Sequence, residues 1–81
     1  MLESITEYIA NNSTRVTYAD GNCHNFILVW GTEVLNVIWD NHASGINTIN
    51  GYRLDSLEDV FSDKEIKRME FILRKHLTTN D

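Results

Sequence analysis

The side chains best suited to chemistry fall in two short runs, Cys23-His24 and Asp40-Asn41-His42. His24, Asp40 and His42 are the right residue types for an open zinc site with water in the fourth position. Their spacing is not a compact metal-ligand signature, so neither a metal nor any other cofactor is expected. Covalent chemistry would need Cys23 as nucleophile, His24 or His42 as base within hydrogen-bond reach, and a third group orienting that base. Neighbouring strand residues point to opposite faces, which aims Cys23 and His24 apart. A buried structural thiol is the expected role of Cys23. Gly45 and Gly51 match neither a phosphate-binding loop nor a dinucleotide fingerprint. The chain does not read as an enzyme.

A second constellation concerns contact rather than catalysis. Residues 1–62 carry two basic side chains, Arg15 and Arg53, against eight acids, a net of −6. Residues 63–81 carry Lys64, Lys67, Arg68, Arg74 and Lys75 against four acids, a net of +1. In a helical projection all five bases fall on the side away from the stripe Ile66, Met69, Leu73 and Leu77, and Phe71 falls among them. An aromatic ringed by cations suits an acidic protein surface, or single-stranded nucleic acid by stacking plus charge. The bland alternative is a solvated face on which Phe71 tucks against a neighbouring loop. The overall charge of −5 disfavours nucleic acid. The acidic remainder, Glu33, Asp40, Asp55, Glu58 and Asp59 with Glu3 and Glu7, also admits a nucleic-acid mimic, although acidic excess more often serves solubility.

The elements that must position these groups follow from period and punctuation. Residues 2–10 read as a short helix with Leu2, Ile5 and Ile9 on one face. Residues 14–18 alternate as a half-buried strand, and Ala19-Asp20-Gly21 suits a three-residue hairpin loop with a left-handed glycine. Strands over 23–30 and 33–39 then flank Gly31-Thr32, which favours a type II′ turn. That register sets His24 opposite Trp39, Phe26 opposite Val37, Leu28 opposite Leu35 and Trp30 opposite Glu33. It places Val16 and Tyr18 on the same core side. Ile27, Val29, Val34 and Ile38 make the second face apolar too, calling for helices on both faces or for self-association.

The asparagine- and glycine-rich stretch 40–53 is expected to be irregular, with a short strand at 46–49 and a turn at Asn50-Gly51. Its His42, Ser44 and Asn47 form a secondary candidate binding loop. Asp55 and Glu58 open a brief helix through about residue 61. Ser62 and Glu65 form a capping box for the last helix, 63–77, with Phe61 and Ile66 at staple spacing. Arg74, Lys75 and His76 complement its dipole.

At 81 residues the chain is expected to be one α+β domain. The expected order is an N-terminal helix, a three- to four-stranded antiparallel sheet, then a short and a longer C-terminal helix. The N-terminus lacks the pattern of a signal peptide, and the apolar stretch 26–39 is too short and too polar to cross a bilayer. A reducing cytoplasmic location is the expectation. By size, acidity and lack of catalytic motifs the chain resembles the small accessory proteins of phages and mobile elements. That resemblance, which extends to anti-CRISPR proteins, implies a non-enzymatic inhibitor that binds a larger host protein. Binding of nucleic acid or a small ligand is the alternative, and a homodimer is compatible with either.

Overall fold

The computed structural model describes residue 10 and residues 13–79. Five antiparallel strands run in sequence order across one sheet: β1 (Arg15–Ala19), β2 (Cys23–Trp30), β3 (Glu33–Asp40), β4 (Gly45–Ile49) and β5 (Tyr52–Arg53). A single 3-10 turn over Leu54–Leu57 leads to the helix α1, Asp63–Thr79.

The central hairpin follows the alternation of its side chains. His24 pairs with Trp39, Phe26 with Val37, Leu28 with Leu35 and Trp30 with Glu33. Gly31, at φ 64°, supplies the positive φ that the first turn residue of a II′ hairpin requires. Phe26, Leu28, Leu35, Val37 and Trp39 are almost wholly buried, and Ile46 and Ile49 of β4 join them. Met69, Ile72 and Leu73 of α1 pack into this cluster, with Ile66 and Leu77 partly buried at its margins. Leu57 and Phe61 close it from the connecting segment.

Polar contacts set the position of α1 on the sheet. Glu65 Oε1 accepts from Ser62 N at 3.1 Å, and Ser62 Oγ accepts from Glu65 N at 3.2 Å. This reciprocal capping satisfies helix-end donors. Glu65 Oε2 also accepts from Trp30 Nε1 at 3.2 Å, so the cap ties the helix to β2. One and a half turns on, Glu70 Oε2 accepts from Ile46 N at 3.0 Å. A Cβ at Gly45 would lie 2.9 Å from that carboxylate oxygen, so glycine leaves the space this bond needs.

The expected architecture is corrected in several respects. The sheet has five strands, not three or four, because the stretch 40–53 is mostly ordered strand and turn. Asn50 at φ 54° and Gly51 at φ 84° provide the two positive-φ positions of a type I′ turn, which adds β5. Asn50 also bonds the edge of β3, its Oδ1 accepting from Asn36 N at 2.8 Å. The brief helix expected through residue 61 is only the 3-10 turn, followed by a non-helical segment. The helix expected at 2–10 lies outside the described residues apart from Ala10, which is buried in the core.

Tyr18 does not share the core side with Val16. Val16 pairs with Phe26 but Tyr18 pairs with Asn25, with a bulge between them. One extra residue reverses the face of everything beyond it. Nor is Gly21 left-handed. The loop instead folds around Asp20, whose Oδ1 accepts from Asn22 N and Cys23 N at 2.7 and 2.9 Å.

Candidate partner-binding surface

Alternation divides the candidates for chemistry between the two faces. His24 lies on the helix-bearing side, stacked on Phe26 with ring centroids 6.1 Å apart, and Phe26 meets the edge of His76 at 5.6 Å. Cys23 and Asp40 pair on the other side. They line an open depression of about 290 Å³ together with Asn22, Ile38, His42 and Asn47.

The histidines serve to lace two turns together. His24 Nδ1 donates to Asn41 Oδ1 at 2.8 Å, and Asn41 Nδ2 donates to Asp20 O at 3.2 Å. His42 Nε2 donates to Asn22 Oδ1 at 3.1 Å. Asp40 Oδ1 accepts from the N–H groups of His42 and Ala43. These bonds join the β1–β2 and β3–β4 turns at one end of the sheet.

Burial pushes the Cys23 thiol pKa up, and the carboxylates Asp20 and Asp40 add to the shift. A raised pKa favours the neutral thiol, the opposite of an activated nucleophile. Among the described residues no group of three histidine, cysteine or acidic side chains stands close enough to hold a metal ion.

The secondary loop also has definite geometry. Ser44 adopts φ 54°, and its carbonyl accepts from Arg74 Nη2 at 2.9 Å. The Arg74 guanidinium carbon lies 5.5 Å from the Trp39 ring centroid, within cation–π range. Asn47 and His42 border the depression on the far side of the sheet. The three loop residues therefore do not form one site: Ser44 faces α1, while His42 and Asn47 border the open face. Between α1 and the turn a second, wider hollow of about 430 Å³ is lined by Trp39, Asn41, Ser44, Arg74, Leu77 and Thr78.

The outer face of α1 brings the primary candidates together. Lys64, Lys67, Arg68, Arg74 and Lys75 are all exposed and project within about 60° of Phe71 on a helix of 3.6 residues per turn. Phe71 itself is 64% exposed, so it does not tuck against a neighbouring loop. Some of these bases also have internal roles. Arg74 is engaged by Ser44 and Trp39, and the positive charge of Arg68 helps to lower the Glu65 pKa. The Arg74 bond to a turn thirty residues away in sequence had no sequence signal. The Asp20 and Asp40 turns did have one, an aspartate followed by small or polar residues able to close an Asx turn.

Comparison with known proteins gives no matching protein family, no matching curated protein and no matching solved structure. Among the described residues no helix is long and apolar enough to cross a membrane.

Proposed function

We propose that the chain is a non-enzymatic binding module that docks the outer face of α1 onto a larger protein, with inhibition of that protein as its effect. One observation supports this most: Phe71, 64% exposed, at the centre of a cationic helix face on an otherwise acidic chain. An exposed aromatic offers a large contact area at a small entropic cost, and surrounding cations select an acidic surface and steer the encounter. The buried stripe and the caps already hold the helix in place. Phe71 is therefore not needed for packing.

The test is affinity capture from the source cells, comparing the native chain with a variant carrying Phe71→Ala, Lys67→Glu and Arg68→Glu. The expected outcome is loss of a captured protein with unchanged circular dichroism. Equal capture by both chains would remove this face from consideration. Salt-sensitive binding of a single-stranded oligonucleotide, lost in the same variant, would replace the protein partner by nucleic acid.

A further inference from the structure

The side of the sheet opposite α1 has no described element packed on it. Its apolar members are Ile27 and Val29, half-buried, and Val34 and Ile38, 61% and 36% exposed. The registers align one row across all five strands of this face: Tyr18, Asn25, Ile38, Thr48 and Arg53. We propose that this open face binds a second copy of the chain, sheet against sheet, about a two-fold axis running along β3.

The order of residues in the row supports that occupant. A two-fold axis along β3 brings β1 over β5 and β2 over β4 of the second copy. Tyr18 then meets Arg53 of the second copy, an aromatic ring against a cation, and the symmetry repeats the contact at the other edge. Asn25 lies over Thr48, whose hydroxyl oxygen is itself buried. Ile38 meets Ile38, and Val34 meets Val34 further along the axis. The row thus matches its own reverse at both edges, aromatic against cation, and at its apolar centre. The Tyr18 ring is also anchored in advance, since its hydroxyl donates to Asp20 Oδ2 at 3.1 Å.

Size and charge limit the strength of the contact. With strands about 4.8 Å apart and rising about 3.4 Å per residue, the sheet offers about 450 Å² of face per copy. A pair of such faces falls in the range of weak, reversible association. Asp40 also lies on the axis, so it approaches Asp40 of the second copy and opposes pairing. The resulting dimer carries its two α1 helices on opposite outer sides, leaving both Phe71 faces accessible.

Sedimentation equilibrium over a concentration series tests this. The native chain is expected to dimerise reversibly, Ile38→Glu to weaken dimerisation at least tenfold, and Asp40→Asn to strengthen it. In a Cys23→Ser background, Ile38→Cys is expected to cross-link into a covalent dimer under mild oxidation, whereas Phe71→Cys stays monomeric. The cysteine pair decides the matter even if Ile38→Glu fails to fold. A native chain monomeric at every concentration would overturn the proposal. So would dimerisation unaffected by Ile38→Glu, or cross-linking through position 71 in preference to 38.

Discussion

Val34 and Leu35 are neighbours on one strand, yet Val34 is 61% exposed and Leu35 only 2%. They stand for the two faces of the sheet. Leu35 lies under α1 in the buried cluster with Phe26, Val37 and Trp39. Val34 faces outward opposite Val29. Both faces are rich in apolar residues, so hydrophobicity alone does not say which one carries the fold. The helix decides, and its caps and its bonds to Trp30, Ile46 and Ser44 fix it on one side.

The sharpest contrast is in stability. Leu35→Ala should cost about 2–5 kcal/mol, since it opens a cavity in a core with little room to relax. Val34→Ala should stay within about 0.5 kcal/mol, as surface substitutions do. Urea titration of both variants, at a concentration low enough to keep the chain monomeric, measures the difference, and equal losses would mean that the outward face is packed within the single chain.

The helix attachments come next. Gly45→Ala should push the Glu70 carboxylate off the Ile46 N–H and cost about 1 kcal/mol, the worth of one hydrogen bond. Ser62→Ala should cost about 1 kcal/mol through loss of the N-cap. Thermal melts of the two single variants would show both.

A smaller effect is pH-dependent. The hydrogen bond from Ser62 N–H, followed by that from the Trp30 indole, holds the Glu65 carboxyl below its ordinary pKa. The stability this carboxylate contributes is present above the ordinary carboxylate range and is lost as pH falls through its lowered value in the folded chain. Glu65→Gln should flatten the acid limb of a stability–pH profile and leave the alkaline side unchanged. The smallest expected effect on stability is that of Phe71→Ala, close to zero in the same titration, because that ring lies in solvent.

Much of this arrangement was legible in the residues. The register of the central hairpin followed from alternation about Gly31-Thr32, and the start of α1 followed from Ser62 and Glu65. Those signals are local. Tyr18 was misplaced because a bulge depends on how two strands meet, and nothing in 14–18 announces the extra residue. The stretch 40–53 looked irregular because asparagine and glycine favour turns, while its ordering comes from Asn36, Asp40 and Glu70, residues set elsewhere in the chain or at its margin. The basic side of α1 was readable from helical period alone. The exposure of Phe71 and the engagement of Arg74 by Ser44 and Trp39 required the tertiary fold.

The most direct measurement is a binding titration of the captured protein with the native chain, Phe71→Ala and Lys67→Glu, each at low and at high salt. Phe71→Ala should weaken binding at both, because burial of its ring does not depend on ionic strength, whereas Lys67→Glu should matter mainly at low salt, where charge is unscreened. Native affinity in Phe71→Ala at both salts would contradict the assignment of this face.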